Sequence, residues 1–226
     1  MKILVINPIG HSKWDNQDKK IYESFVSPGT TVDVVSLPQG PITVESPEAY
    51  AEVIPLVIKR VLEYYEKYDG FIINCFLDPG VKLLRGIIRK PVIGPCEASM
   101  SLASLITDKI GIVSVGSALW MIEDHIRSLG YANRLIGLEG IDLGVLDLDK
   151  DLELTISKIV ERSKKLIDRG AEVIVLGCTG FAGLARKIEE HINIPVIDPA
   201  GAAVKILESL IKLNIYNPRA TTIIKQ

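Results

Sequence analysis

Short runs rich in Val and Ile alternate along the chain with longer stretches of mixed character. The runs are Lys2–Ile6, Thr31–Leu37, Gly70–Cys75, Pro91–Gly94, Ile110–Val115, Glu172–Cys178 and Pro195–Ile197. Most are apolar on consecutive positions, as a strand covered on both faces requires. The stretches between them carry helix signals. Ser46-Pro47 joins an N-cap residue to a proline at the first helical position and leads into Ala49–Tyr68. Pro55 should kink or split that helix. Asp149–Arg169 places Ile156, Ile159, Val160, Ser163 and Ile167 on one face and stops at Gly170. The β-α-β-α order predicts an α/β fold with parallel sheets and right-handed crossovers.

The chain also echoes itself. Pro91-Val92-Ile93-Gly94-Pro95-Cys96-Glu97-Ala98 matches Pro195-Val196-Ile197-Asp198-Pro199-Ala200-Gly201-Ala202 at an offset of 104. Phe71-Ile72-Ile73-Asn74-Cys75 matches Ile174-Val175-Leu176-Gly177-Cys178 at 103, and Lys2-Ile3-Leu4-Val5-Ile6 matches Lys109-Ile110-Gly111-Ile112-Val113 at 107. Three segments in the same order and near-constant spacing indicate a duplicated unit, with a period too long for a solenoid. The expected architecture is two pseudo-symmetric parallel-sheet lobes, a duplicated flavodoxin-like unit, with the site in the cleft between them. The first lobe is expected over residues 1–98 and the second over 99–200. A C-terminal helix in 201–226, about Gly201–Leu213, should pack back on the first, with the boundary within Ala98–Thr107.

The composition narrows the classes. In 226 residues, 47% are apolar and 24% charged, which suits a globular core and excludes a disordered or collagen-like chain. With 26 basic against 28 acidic residues there is no electrostatic footprint for nucleic acid. Three cysteines are too few for a disulfide scaffold. The first apolar run is cut by Asn7-Pro8, far short of a secretory segment, and no run reaches membrane length. A reducing, cytoplasmic setting is the expectation.

Ligands of open parallel sheets bind beyond the carboxyl ends of the strands. Those positions hold Asn7-Pro8 and Asn74-Cys75-Phe76-Leu77-Asp78-Pro79-Gly80 in the first copy. In the second they hold Ser114 and Gly177-Cys178-Thr179-Gly180-Phe181-Ala182-Gly183. Each copy thus places one cysteine at the end of the equivalent strand, where a turn into a helix would lower thiol pKa. A lone cysteine there is usually a small buried residue. A pair at equivalent places suits inversion of a stereocentre, one thiolate removing a proton from one face and one thiol returning it to the other. A disulfide between them is the competing reading. Asp78, Gly80, Thr179 and Gly180 could offer donors to an enolate. His11, His125 and His191 form no ligand-spaced cluster, so no metal is expected, and surface placement suits all three. No pyridoxal, dinucleotide or P-loop pattern occurs. Cys96 reads as a packing residue near the site, and Glu97 and Ser99 as helix-capping or site-lining.

The stretch Cys75-Phe76-Leu77-Asp78-Pro79-Gly80, followed by Pro91-Val92-Ile93-Gly94 and Glu97-Ala98-Ser99, resembles the first half of the hydantoin racemases. So do Val5-Ile6-Asn7-Pro8 and Gly40-Pro41-Ile42-Thr43-Val44-Glu45. Gly177-Cys178-Thr179-Gly180 and Pro195-Val196-Ile197-Asp198 resemble the second half. The wider relative is the aspartate/glutamate racemase superfamily, with its maleate isomerases and arylmalonate decarboxylases. The resemblance implies a cofactor-independent two-base racemase of an amino-acid derivative, with Cys75 and Cys178 as acid and base. Asn7, Pro8, Asp78, Pro79, Gly80, Ser114, Thr179 and Gly180 would contact substrate. It implies a small-molecule substrate, no nucleic-acid or membrane partner, and a homo-oligomer. The chain departs from the family at Ile9-Gly10-His11, and at Ser114 and Ser117, where tandem hydroxyl residues are usual. Competing readings are a maleate-type isomerase or arylmalonate-type decarboxylase using one cysteine, or a two-lobed ligand binder with redox-active cysteines.

Overall fold

A computed structural model describes residues 1–220. The chain divides into two compact units, Met1–Pro95 with the segment from Ala203 onward, and Cys96–Ala202. Of the segment expected to return to the first lobe, residues 221–226 lie outside the described ones.

In the first unit β1 (Lys2–Asn7), β2 (Thr31–Ser36), β3 (Gly70–Ile73) and β4 (Val92–Ile93) form a parallel sheet in the order β2-β1-β3-β4. In the second, β5 (Ile110–Val115), β6 (Leu135–Ile141), β7 (Val173–Leu176) and β8 (Val196–Ile197) form another in the order β6-β5-β7-β8. The two orders are the same topology. Val5 pairs with Ile72 and Ile72 with Ile93, while Ile112 pairs with Val175 and Val175 with Ile197. These are the residues related by the sequence echo, so the repeat in the chain is a repeat in the ladders. Ile3, Leu4, Val5 and Ile6 are all fully buried, which explains the unbroken apolar run.

The helices are α1 (Asp15–Phe25), α2 (Pro47–Tyr64), α3 (Val81–Ile87), α4 (Pro95–Ser104), α5 (Leu119–Ser128), α6 (Leu152–Asp168), α7 (Ala185–Ile192) and α8 (Pro199–Lys212). Ser46 caps α2, its side chain accepting from the Ala49 N–H at 3.3 Å. Val53, Val57 and Val61 of that helix pack on Leu4, Ile6, Phe71 and Ile73. Pro55 does not split it. Pro55 and Ala51 are both exposed, so the Ala51 carbonyl that loses its helical partner faces water. The helix ends at Tyr64, and a 3-10 turn covers Tyr65–Lys67. Asp151 caps α6, whose buried face carries Ile156, Ile159, Val160, Ser163 and Leu166; Ile167, expected there, is only partly buried. Gly170, with φ 98°, stops the chain after it as expected.

α8 runs into the first unit. A Cβ on Gly70 would meet Leu207 at 2.8 Å and Ile211 at 3.0 Å, so the helix lies against the start of β3. Glu208, 3% exposed, accepts from the Ser27 N–H at 2.8 Å, the Ser27 hydroxyl at 2.7 Å and the Thr30 hydroxyl at 2.7 Å. Among the described residues, no helix is long and apolar enough to cross a membrane.

Candidate active site

The strand ends of the first unit are knitted by buried polar side chains. Asn7, the last residue of β1 and 3% exposed, donates both amide hydrogens, to Asp15 at 2.9 Å and to Asp18 at 2.8 Å. Its oxygen accepts from Asn74 at 2.6 Å. Asn74 also donates toward Asp18 at 3.4 Å and accepts from the Tyr22 hydroxyl at 2.8 Å. Asp15 reaches the end of β2, accepting from the Ser36 N–H at 3.2 Å and its hydroxyl at 2.5 Å. Asn7 is therefore placed where expected, with its side chain committed to this network. Asp15, Asp18 and Tyr22 were not among the expected residues. They lie on a polar helix of which only Tyr22 is buried, and no periodic signal marks it.

Cys75 follows Asn74 just past β3 and is half-buried. Its carbonyl accepts from the Asp78 N–H at 2.9 Å, closing a tight turn. Asp78 has φ 49° and Gly80 φ 77°, left-handed values that glycine takes without strain and aspartate tolerates. The Asp78 side chain is 5% exposed, and a Cβ on Gly94 would overlap its carboxyl carbon. Pro8, Pro79 and Gly80 are buried beside these groups in sequence. α2 packs over the turn, because a Cβ on Gly80 would lie 3.7 Å from both the Ile54 carbonyl oxygen and Val57. One helical turn before Ile54 stands Tyr50. Burial pushes its phenol pKa up, and the negative charges of Cys75 and Asp78 push it further. Tyr50 is thus coupled to the Cys75 turn and was not among the expected residues. It belongs to a helix whose visible signals were its cap and its core face.

The loops after β1 and β2 are zipped together. The Gly10 N–H donates to the Pro41 carbonyl at 2.9 Å, and a Cβ on Gly10 would overlap the Gly40 backbone. His11 Nε2 lies 3.1 Å from the Ile42 carbonyl oxygen, and its ring packs edge-on against Trp14 at 5.0 Å.

The second unit repeats the strand ends with other side chains. Ser114, equivalent to Asn7, is 1% exposed and donates to the Gly177 carbonyl at 2.6 Å. Gly177, equivalent to Asn74, has no space for a side chain: a Cβ would meet Ile112 at 2.7 Å and Ser114 at 3.0 Å. Cys178 follows and is 9% exposed. Its carbonyl accepts from the Phe181 N–H at 3.0 Å, the counterpart of the Cys75–Asp78 bond. Thr179 is half-buried and Gly180 exposed. A Cβ on Gly180 would sit 3.5 Å from the Cys178 sulfur, so glycine keeps that side of the thiol clear. Asp198, equivalent to Gly94, accepts from the N–H groups of Gly183 at 2.6 Å, Ala200 at 3.0 Å and Gly201 at 3.2 Å. Burial raises its pKa against those opposing backbone donors.

Two expectations need correction. Neither thiol sits at an α-helix N-terminus: Cys75 precedes α3, which begins at Val81, and Cys178 heads the 3-10 turn Thr179–Phe181, with α7 beginning at Ala185. Each cysteine opens a turn that leads into its helix, as expected; what is corrected is the direct placement of the thiol at a helix N-terminus. His125 is not a solvated surface residue. It is half-buried on the face of α5 that carries Ile122 and Ile126, with an imidazole nitrogen within 4.8 Å of the sulfur of the fully buried Cys96. His191 is on the surface as expected, a ring nitrogen 2.7 Å from the Lys187 carbonyl oxygen. None of the cysteines is in a disulfide.

Known proteins share this fold. The family model described as Asp/Glu/Hydantoin racemase matches residues 3–207. The hydantoin racemase of Paenarthrobacter aurescens is 31% identical over 98% of this chain and 96% of that protein. That of Pseudomonas sp. (strain NS671) is 33% identical over 94% of this chain and 87% of its own length. The crystal structure of allantoin racemase from Pseudomonas fluorescens superposes with a TM-score of 0.93 at 28% identity, covering 100% of this chain and 99% of that one. With its duplicated parallel-sheet units and a family match across nearly all of its length, the chain is a racemase-type isomerase and belongs to the Asp/Glu/Hydantoin racemase family.

Proposed function

We propose that the protein is a cofactor-independent racemase of a hydantoin-like carbon acid, with Cys75 and Cys178 as the opposed acid and base. The observation that carries this reading is the equivalence of the two thiols. Each follows the same strand of a duplicated sheet, and each carbonyl closes the same turn, to Asp78 at 2.9 Å and to Phe181 at 3.0 Å. The reaction requires the thiols to meet one substrate from opposite faces. One thiolate takes the proton from the stereogenic carbon, leaving an enolate, and the other thiol delivers a proton to the far face. The second thiol thereby becomes the thiolate, so no net proton or electron is consumed.

The residues around the thiols favour a neutral ring over a free amino acid. Cys75-Phe76-Leu77-Asp78-Pro79-Gly80 and Cys178-Thr179-Gly180-Phe181-Ala182-Gly183 contain no Arg or Lys. A cationic partner would favour a substrate α-carboxylate; none stands in these two turns, and hydroxyl and N–H donors such as Thr179 and Tyr50 suit ring carbonyls. A ring carbonyl also acidifies the neighbouring carbon. The similarity to proteins named hydantoin and allantoin racemase supports this substrate class.

The test is to follow optical rotation of one enantiomer of a 5-substituted hydantoin in D2O, with deuterium at the ring carbon counted by mass spectrometry. Cys75→Ala and Cys178→Ala should each lose on the order of 10³-fold in turnover, and chelators should have no effect. Full racemisation with either thiol removed would overturn the reading.

A further inference from the structure

The duplicated fold offers an internal control on what a strand end needs. In the second unit the Gly177 N–H donates to Val113 at 2.7 Å, Ser114 binds the Gly177 carbonyl, and position 177 has no side chain. That suffices to end the strand and launch the Cys178 turn. In the first unit the equivalent backbone bond is present, Asn74 N–H to Ile6 at 2.8 Å. Around it stands a further chain of side chains that the fold, by its own second copy, does not demand.

We propose that Asp18 and Tyr22 of α1 are positioning residues for the Cys75 thiol, acting through Asn74. Tyr22 is 1% exposed, and its hydroxyl holds the Asn74 oxygen at 2.8 Å. Asp18 holds Asn7 at 2.8 Å and the Asn74 amide at 3.4 Å, and Asn7 takes the other Asn74 contact at 2.6 Å. The Asn74 side chain is thus fixed from three directions, and with it the peptide that leads into Cys75. The two thiols need unlike support because their surroundings differ. Cys178 is buried within the apolar cluster of its unit, beside Phe181 and Leu184, so packing holds it. Cys75 is half-buried and stands outside the apolar cluster of its own unit. A base that must meet a carbon-bound proton tolerates little misplacement, since about 1 Å can cost on the order of a hundredfold in rate.

The kinetic consequence rests on the racemase reading above; the effect on the thiol does not. The experiment compares Tyr22→Phe, Asp18→Ala and Asp18→Asn with the wild-type protein. Iodoacetamide alkylation of Cys75 and Cys178 is resolved by peptide mass spectrometry across a pH series, alongside hydantoin racemisation. Tyr22→Phe and Asp18→Ala should change the Cys75 alkylation rate by about tenfold and leave that of Cys178 within about twofold. Turnover should fall about tenfold with KM nearly unchanged. Asp18→Asn keeps an acceptor oxygen for Asn7 and should restore most of both. Should Asp18→Ala fail to fold, Tyr22→Phe, which keeps the buried ring, decides the matter. An unchanged Cys75 profile in folded Tyr22→Phe overturns the proposal, as does an equal change at both cysteines. A wild-type protein that racemises nothing, with variants that still show the Cys75-specific alkylation change, would remove the substrate reading and leave the positioning role standing.

Discussion

The carboxyl group of Asp78 occupies the space that a side chain at position 94 would fill. At the equivalent place in the second unit, position 198 carries the carboxylate itself and binds the N–H groups of Gly183, Ala200 and Gly201. Both units thus place a buried acid beside the end of their fourth strand, one from the cysteine turn and one from the strand. Gly94→Ala should displace Asp78, destabilise the protein by about 1–3 kcal/mol and lower turnover. Urea denaturation with initial-rate measurement checks it; a variant with wild-type stability and rate would show that Asp78 has room to move.

Gly180→Ala adds a methyl group 3.5 Å from the Cys178 sulfur and 2.7 Å from Leu148. Gly180 has no left-handed φ, so the backbone accepts the change, but the buried Leu148 must shift, and the cost to folding should be about 1–3 kcal/mol. The thiol should become harder to reach. Alkylation of Cys178 is expected to slow while that of Cys75 stays the same.

Glu208 links folding to acidity. Burial alone would raise its pKa. The donors from Thr30, from the Ser27 backbone and hydroxyl, and from Lys205 outweigh that and hold it at about 2, against an ordinary 4.5. A carboxyl with a lowered folded pKa stabilises the fold fully above pH 4.5 and loses that contribution as pH falls from 4.5 toward 2. Glu208→Ala should cost about 2 kcal/mol or more at pH 7, because it leaves buried donors without an acceptor. Its stability should depend less on pH below 4.5 than that of the wild type, as acid titration of denaturation midpoints would reveal.

The Tyr50 phenol should ionise above 10, as its burial and the charges of Cys75 and Asp78 require. It therefore stays a hydrogen-bond donor through the neutral range. The difference in ultraviolet pH titration between wild type and Tyr50→Phe isolates this group. A difference curve with its midpoint at 10 or below would contradict the placement of Tyr50 beside two acidic groups.

Asp198→Ala removes the acceptor for three backbone N–H groups. A loss of about 2 kcal/mol is expected, seen as a lower denaturant midpoint with unchanged slope.

The strand framework was legible because Ile3–Ile6 and Val173–Leu176 are buried on both faces, and burial on both faces writes itself as unbroken apolar runs. The duplication was legible for the same reason. β6 was missed: Leu135–Ile141 is a partly exposed edge strand containing Gly137, Glu139 and Gly140. α1 was missed because one buried tyrosine makes no stripe. The cysteines stood out by type and spacing. Their supporting groups did not, because Asp18–Asn74 and Tyr22–Asn74 are contacts between distant segments, set by tertiary geometry that no local period records. Equivalent strand ends also diverge in identity, Asn7 against Ser114 and Asn74 against Gly177, so the repeat itself does not reveal which copy carries the polar chain.

The second unit is one uninterrupted stretch, whereas the first needs α8 to be whole. During synthesis from the N-terminus, Cys96–Ala202 is complete before the helix bearing Leu207, Glu208 and Ile211 has emerged. The earlier-made sheet must meanwhile leave Gly70, Ser27 and Thr30 uncovered. The part made first is finished last, and its closing step is the arrival of a single helix.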